Sequence, residues 1–132
     1  RPTDLIKTGD RLHVRLHYTA TETVVEPHFG FEIHSQLGTL VTETSTWSTG
    51  VAIPRINKGS GYLDLEFDTL NLMPGRYRIS LWCSSIGAID YDVLDHCSLL
   101  DVEASEVFVS GRGADQRFGL VYFPAQWRLF QD

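Results

Sequence analysis

The fold class follows most directly from the stretch Leu70-Asn-Leu-Met-Pro-Gly-Arg-Tyr-Arg-Ile-Ser-Leu81. Its Pro74-Gly75 pair predicts a turn, because proline fixes φ at the first turn position and glycine adopts the positive φ that other residues resist. Alternation with a period of two residues follows and predicts a strand over residues 76–84. One side of this strand is apolar, with Tyr77, Ile79, Leu81 and Cys83, and the other side carries Arg76, Arg78, Ser80, Trp82 and Ser84. Two arginines and a tryptophan on the water-facing side mark that side as a candidate for function.

Similar alternation predicts further strands along the chain. They cover residues 11–19, 28–34, 39–44, 61–68, 99–109 and 118–123. No segment shows a sustained helical period, and turn residues separate the strands at spacings typical of an antiparallel sandwich. Residues 45–60 are expected to be a long irregular segment, and residues 92–97 a short helical turn. We therefore predict an all-β fold, an immunoglobulin-like or jelly-roll antiparallel β-sandwich of seven to nine strands.

Length and composition limit the possible functions. At 132 residues the chain is expected to be one domain, residues 1–132. Its net charge of −6 argues against nucleic acid as the main partner, because phosphate binding needs a basic excess. No apolar run approaches the roughly 20 residues that span a bilayer. The chain begins at Arg1 rather than at a methionine, so we expect it to be a piece of a longer protein.

The cysteines and histidines do not predict a metal site. The two cysteines, Cys83 and Cys97, are too few for a disulfide framework, and Cys83 is in phase with the apolar side of its strand. No Cys-x-x-Cys motif or Cys/His cluster predicts zinc. His13 and His17 lie four residues apart, about 13 Å at the rise of a strand, so they cannot share one ion. We expect their strand to pair with residues 61–68, whose outward carboxylates balance its basic side chains.

Motifs of catalysis are also missing from the sequence. There is no Gly-x-Ser-x-Gly elbow, no His-Glu-x-x-His motif and no glycine loop for phosphate. Asp90, Asp92 and Asp95 lack the glycine and the closing glutamate of a calcium loop, so we interpret them as a solvated acidic turn. Glu32 lies between His28 and His34 in the sequence, and this is the only group of residues worth testing for acid–base chemistry. We expect the chain not to be an enzyme.

The candidate site lies on the outer side of the strands at residues 28–34 and 76–84, which an immunoglobulin-like order places side by side. It consists of Trp82, Arg78, Arg76, His34, Glu32 and His28. An indole can stack on the C–H face of a sugar ring, while guanidinium and imidazole groups bond its hydroxyls. The alternative is that Trp82 only packs, beneath residues 45–60 or against a second chain. Trp47 in that segment is either a lid over the site or a buried anchor, and we favour the anchor.

Several short motifs occur in an order and spacing that resemble a known family. They are Thr8-Gly-Asp10, Leu12-His-Val-Arg-Leu-His-Tyr18, Pro27-His-Phe-Gly-Phe-Glu-Ile33, a turn with Gly38, Gly61-Tyr-Leu-Asp-Leu65, Leu72-Met-Pro-Gly-Arg-Tyr77, Tyr91-Asp92 and Gly119-Leu-Val-Tyr-Phe-Pro-Ala-Gln-Trp127. Nearly the whole chain resembles the C-terminal domain of Wzt-type ATP-binding subunits of polysaccharide ABC transporters. The nucleotide-binding domain of such subunits, with its P-loop, is absent from this sequence. Any ATPase activity is therefore expected upstream of Arg1.

The resemblance implies a non-catalytic β-sandwich that needs no cofactor. It would bind the non-reducing end of an undecaprenyl-linked O-polysaccharide in the cytoplasm, at the inner face of the inner membrane. Binding would couple glycan recognition to export through the membrane subunit of the transporter. The resemblance also implies a homodimer that exchanges a C-terminal strand, here residues 118–123 within 110–132, after a hinge at residues 111–113.

The residue-level site comes from strand alternation and not from the family, because sugar contacts vary with the glycan. Two alternative functions stay open. The first is a structural dimerisation module without a ligand. The second is an accessory sugar-binding domain of an extracellular protein, which a bridge between Cys83 and Cys97 would favour because cytosolic thiols stay reduced.

Overall fold

The computed structural model describes residues 6–84, 89–91, 98–103 and 119–131, and every regular element among them is a β-strand. In chain order the strands are β1 (Ile6–Lys7), β2 (Leu12–Ala20), β3 (Val24–Val25), β4 (Phe29–Ser35), β5 (Leu40–Ser45), β6 (Arg55–Ile56), β7 (Gly59–Phe67), β8 (Gly75–Cys83), β9 (Ile89–Tyr91) and β10 (Ser98–Glu103). Within these described ranges no helix has the length and apolar character needed to cross a bilayer. The all-β prediction is confirmed.

The strands form two main sheets and one small sheet. The larger sheet has the order β1-β10-β8-β4-β5, the second has the order β7-β2-β9, and β3 pairs with β6. β4 is antiparallel to β8, and β2 is antiparallel to β7, which are the two neighbour relations predicted from an immunoglobulin-like order. The sandwich places the outward sides of β4 and β8 next to each other, as the candidate site requires.

The main core is built from the apolar sides of both main sheets. The larger sheet contributes Phe31, Ile33, Tyr77, Ile79, Leu81, Leu100 and Val102, and β2 contributes Leu12 and Leu16. A second cluster contains Ala20, Val24, Phe29, Ile56 and Cys83. Val24 and Ile56 are paired across β3 and β6, so the small sheet exists because both strands turn one apolar residue into this cluster.

The chain bends at Pro74, as the sequence predicts, but Gly75 is already the first residue of β8 and has a φ of 152°. Tyr77 follows on β8 and is fully buried. Its hydroxyl donates a 2.6 Å hydrogen bond to the carbonyl oxygen of Met73, four residues upstream. This contact is the tyrosine corner of immunoglobulin-like sandwiches. It ties the turn to the strand that carries the candidate site.

Residues 45–60 are more regular than predicted, because they contain β6 and the start of β7. Trp47 is 73 % exposed, so the prediction that it is a buried anchor is wrong. The reason lies in a turn that begins at Ser45. The N–H of Ser48 donates to the Ser45 hydroxyl at 2.9 Å, and the hydroxyl of Thr49 donates to the Ser45 carbonyl at 2.7 Å. These bonds close a turn that leaves Trp47 on the outside.

The C-terminal segment, residues 119–131, runs beside the chain that leads into β8. Leu72 and Val121 form an antiparallel bridge, and the N–H of Met73 donates to the carbonyl oxygen of Leu120 at 2.8 Å. These contacts are made within one chain. Of the strand predicted at 118–123, the described residues show this bridge and the hydrogen bonds beside it. Beyond the bridge, four large apolar side chains are strongly exposed: Phe123, Trp127, Leu129 and Phe130.

Some predicted features fall outside the described residues. They are the helical turn at 92–97 with its acidic side chains, the continuation of a strand over 104–109 and the hinge at 111–113. A bridge between Cys83 and Cys97 is among them, because Cys97 is not described. Cys83 itself is buried in the core, as its strand phase predicts.

Candidate functional site

The outward side of the larger sheet, called the outer face below, brings predicted site residues onto adjacent strands. Three pairs across β4 and β8 define it: Gly30 with Trp82, Glu32 with Ser80, and His34 with Arg78. Glu32, His34, Arg78 and Trp82 therefore form one continuous surface. From Arg78 to Trp82 this surface extends about 13 Å along the strand direction.

Trp82 is half-buried and lies across the neighbouring strand. A Cβ atom added to Gly30 would overlap Nε1, Cε2 and Cδ1 of the indole, so the ring passes directly over the glycine backbone. The indole N–H donates a 2.8 Å hydrogen bond to Oε2 of Glu43 on β5. Trp82 is thus neither sealed in the interior nor free to swing, and part of its surface is accessible to solvent.

Glu43 is a site residue that the sequence analysis missed. It lies directly opposite Glu32 in the register of β4 and β5. Alternation along residues 39–44 placed Glu43 on a predicted strand, and the short turn with Gly38 before it was a usable signal that this strand borders β4, but the face on which Glu43 lies was not assigned. The register also shifts at Ile33 and His34, which sequence periodicity does not reveal.

Glu32 and His34 are neighbours on β4 and face the same side. Nε2 of His34 lies 3.5 Å from Oε1 of Glu32, and the two side chains are 15 % and 26 % exposed. They place an imidazole and a carboxylate beside Trp82 and Arg78. The sequence suggested Glu32 with His28 and His34 for acid–base chemistry. Only the pair of Glu32 and His34 remains, because His28 lies before the start of β4.

Arg76 is held by its own chain and offers less to a ligand than predicted. Its Nε and Nη2 atoms donate to the two carboxylate oxygens of Asp101 on β10, at 2.8 and 3.3 Å. Hydrogen bonding from Arg76 holds the pKa of Asp101 below its ordinary value. Asp101 was not among the predicted site residues. The alternation of buried Leu100 and Val102 was a usable signal that Asp101 points outward.

Arg78 is exposed and lies between His34 on one side and Leu99 of β10 on the other. Its guanidinium forms no hydrogen bond or ion pair with another residue in the part of the chain that the structure describes. Leu99 is 47 % exposed, so the residue opposite Arg78 on β10 is apolar and not a carboxylate. Arg78 is therefore the cation of this surface that can turn its donors toward a ligand.

His28 lies at the end of the outer face and has a structural environment. Its Nδ1 is 3.1 Å from the hydroxyl of Thr46, and its backbone N–H donates to the hydroxyl of Ser84 at 2.9 Å. Both contacts fasten the chain where it enters β4. The structure thus separates His28 from the Glu32, His34 and Arg78 group.

A cleft opens at the other end of the outer face, with a volume of about 330 Å³. It lies between the turn that joins β4 to β5, the start of β8 and the C-terminal segment. Its lining consists of Ser35, Gln36, Leu37, Thr39, Arg76, Tyr77 and Leu120. Its polar groups are hydroxyls, an amide and a guanidinium, and its apolar part comes from Leu37, Leu120 and the Tyr77 ring, so the cleft offers both kinds of surface to a ligand.

The outward side of the second sheet is balanced in charge, as predicted. Arg15 Nε donates to Asp64 Oδ1 at 2.9 Å, and Arg11 Nη2 donates to Glu66 Oε2 at 2.9 Å. Nε2 of His13 lies 3.3 Å from the same Asp64 oxygen. Hydrogen bonding from Arg15 lowers the pKa of Asp64. Among the described residues, no group of three or more His, Cys, Asp or Glu side chains is placed to hold a metal ion.

Comparison with known proteins agrees with this architecture. The family model of the Wzt C-terminal domain matches residues 1–122. Among solved structures, a crystal structure of the C-terminal domain of Wzt aligns with a TM-score of 0.70 and 9% sequence identity, covering 96% of this chain and 74% of that chain. At this identity the likeness concerns the fold alone. No curated protein matches the sequence significantly. The resemblance carried by the sequence motifs is confirmed, and the chain belongs to the Wzt C-terminal domain family.

Proposed function

We propose that this domain is the non-catalytic, polysaccharide-binding part of an O-antigen ABC transporter. Membership in the Wzt C-terminal domain family supports the role in such a transporter. The observation that carries glycan binding is the placement of Trp82, whose indole lies on the outer face beside polar side chains and keeps part of its surface accessible.

The chemistry of the outer face matches that of a sugar. A sugar ring has an apolar C–H face and a rim of hydroxyls that both donate and accept. The Trp82 ring supplies an apolar surface, the carboxylates of Glu32 and Glu43 accept hydrogen bonds, and Arg78 donates them. We therefore place the ligand on Trp82, Glu43, Glu32, His34 and Arg78. Arg76 and His28 flank this group, each engaged by a neighbour of its own chain.

We further propose that the ligand is the non-reducing end of an undecaprenyl-linked O-polysaccharide on the cytoplasmic side of the inner membrane. The cleft beside Arg76 supports recognition of an end, because it offers a concave site next to Arg76 on β8. In this proposal ATP hydrolysis belongs to an upstream nucleotide-binding domain, and the membrane subunit of the transporter receives the recognised glycan. The domain acts as a homodimer.

The substitution Trp82→Ala tests the proposal, and Trp47→Ala is its matched control. Trp47 is an exposed tryptophan in the turn after β5. Its substitution removes the same type of side chain at a position outside the proposed binding surface. We expect Trp82→Ala to weaken binding on an array of bacterial O-polysaccharides about fivefold or more, since aromatic contacts are worth about 1 kcal/mol. Trp47→Ala should leave binding unchanged. Equal binding by both variants would remove Trp82 from the site.

A structural dimerisation module is the second candidate. It is favoured by one observation, the exposure of four large apolar side chains in the C-terminal segment. This candidate predicts that no polysaccharide on the array binds, whereas self-association persists. Binding of any O-polysaccharide that depends on Trp82 would exclude a purely structural role.

A further inference from the structure

We infer that Gly30 and Glu43 are positioning residues that lay the Trp82 indole across β4 as a fixed platform. On the proposed function, this platform presents a ring surface and not its N–H to the sugar. The inference rests on two contacts made by the same indole, one with the strand beside it and one with the next strand along the sheet.

The first contact needs the absence of a side chain at residue 30. Gly30 lies directly opposite Trp82, and three atoms of the pyrrole ring occupy the space where a Cβ would stand. One face of the ring can therefore approach the β4 backbone, and it can do so only because residue 30 is glycine. Gly30 does not have a positive φ, so backbone conformation does not explain the glycine.

The second contact fixes where the ring ends. Oε2 of Glu43 accepts the indole N–H at 2.8 Å, and a charged acceptor makes this hydrogen bond stronger than a neutral one. Glu43 belongs to β5, so the indole spans from β8 over β4 to the edge strand. Because the N–H is used by Glu43, a ligand meets the ring surface and the carboxylate beside it. This arrangement favours ligands that stack on the ring. It disfavours ligands that must accept a hydrogen bond from the indole N–H.

A purely structural explanation is that the indole only shields a glycine in the sheet. The second sheet offers a matched example. A Cβ atom added to Gly61 on β7 would overlap the hydroxyl of Tyr18 on β2, the residue directly opposite. Gly61→Ala is therefore the control for Gly30→Ala. Both variants disturb an aromatic ring over a glycine, but only one of them lies on the outer face.

Fluorescence tests the positioning without any sugar. The chain has three tryptophans, so the double substitution Trp47→Phe and Trp127→Phe leaves Trp82 as the only emitter. We expect Gly30→Ala and Glu43→Leu to displace the indole and to increase its quenching by iodide. Glu43→Gln keeps an oxygen acceptor and should restore the original quenching, and Gly61→Ala should not change it. Unchanged quenching in both Gly30→Ala and Glu43→Leu would overturn the inference.

Binding to an array of bacterial O-polysaccharides tests the consequence for function. Gly30→Ala and Glu43→Leu should each weaken binding about fivefold, as expected for loss of one aromatic contact of about 1 kcal/mol. Glu43→Gln keeps an oxygen acceptor for the indole N–H and should weaken binding less than Glu43→Leu does. In a Trp82→Ala background, Gly30→Ala should have no further effect, because Gly30 acts through the indole.

The two proposals fail in different ways. Equal loss of binding from Gly30→Ala with and without Trp82 would overturn the positioning role. If the unsubstituted chain binds no polysaccharide while the quenching changes as described, the proposed function fails and the positioning of the indole stands. If the Gly30→Ala variant does not fold, the positioning of the indole is tested by comparing Glu43→Leu with Glu43→Gln, which change a residue on β5 instead of β4.

Discussion

At the level of single residues, we expect Tyr77, which follows the Pro74-Gly75 pair, to stabilise the sandwich. Its hydroxyl is buried and donates to the Met73 carbonyl at 2.6 Å. We expect Tyr77→Phe to lower the free energy of unfolding by about 1–2 kcal/mol, because the substitution leaves a buried acceptor without this donor. Tyr62→Phe is the control, since Tyr62 is 54 % exposed. Urea unfolding should show a lower midpoint with an unchanged slope for Tyr77→Phe alone, and a Tyr77→Phe midpoint equal to that of Tyr62→Phe would contradict this role.

Glu26 is a residue with backbone strain. Its φ is 53°, and it is the only non-glycine residue with positive φ in the described ranges. The left-handed conformation costs an L-residue about 1–2 kcal/mol, whereas glycine loses about 0.5–1 kcal/mol of entropy. We expect Glu26→Gly to be neutral or to stabilise by up to about 1 kcal/mol. Glu22→Gly, at an exposed position without positive φ, should destabilise in the same unfolding assay.

At the level of strands, the ion pairs between neighbouring strands predict how stability depends on pH. Arg15 lowers the pKa of Asp64, and Arg76 lowers the pKa of Asp101, from an ordinary value near 3.8. A carboxyl whose pKa is lower in the folded state adds stability above its unfolded pKa. That stability is lost as the pH falls through the lower, folded pKa.

We therefore expect the unfolding midpoint in urea to fall as the solution is acidified below about pH 4. Asp64→Asn and Asp101→Asn should each reduce this fall, because they remove a group that must take up a proton on unfolding. Asp68→Asn is a suitable control, since Asp68 is exposed like Asp64 but its carboxylate forms no hydrogen bond or ion pair with a described residue. Acid dependence that is identical in all four chains would show that these pairs do not contribute.

Strand alternation predicted much of this fold because β2, β4, β7 and β8 each have one apolar and one polar side. The predicted bounds of these strands differ from the observed ones by one or two residues. The pairs between β2 and β7 and between β4 and β8 were also predicted. Both follow once a sandwich of the immunoglobulin type is assumed, and between β2 and β7 oppositely charged side chains then face each other.

The candidate site was predicted less completely, because it depends on contacts between strands that are distant in sequence. Alternation can place Asp101 on the outward side of its strand, but the contacts of Glu43 with Trp82 and of Asp101 with Arg76 depend on how separate strands pair. Trp47 was misplaced because an apolar side chain in a polar segment favours burial, whereas hydrogen bonds at Ser45 close a turn that exposes it. Arg76 was assigned to a ligand because its partner Asp101 lies on another strand.

For the whole molecule, the C-terminal segment predicts the oligomeric state. Phe123, Trp127, Leu129 and Phe130 are each at least 78 % exposed, and burial of such a side chain is worth about 1.5–3 kcal/mol. We expect the chain to sediment as a dimer, and deletion of residues 123–132 to shift it to a monomer. Trp47→Ala, which removes an exposed tryptophan elsewhere, should leave the dimer intact. A truncated chain that still dimerises would place the interface outside the C-terminal segment.

The bridge between Leu72 and Val121 has a further consequence, because it is made by backbone groups alone. Main-chain donors and acceptors do not distinguish one copy of a chain from another. A C-terminal segment arriving from a second molecule would complete the same ladder with the same bond energies. The balance between the closed and the swapped arrangement is then governed by effective concentration, which two subunits tethered in one assembly raise and dilution lowers.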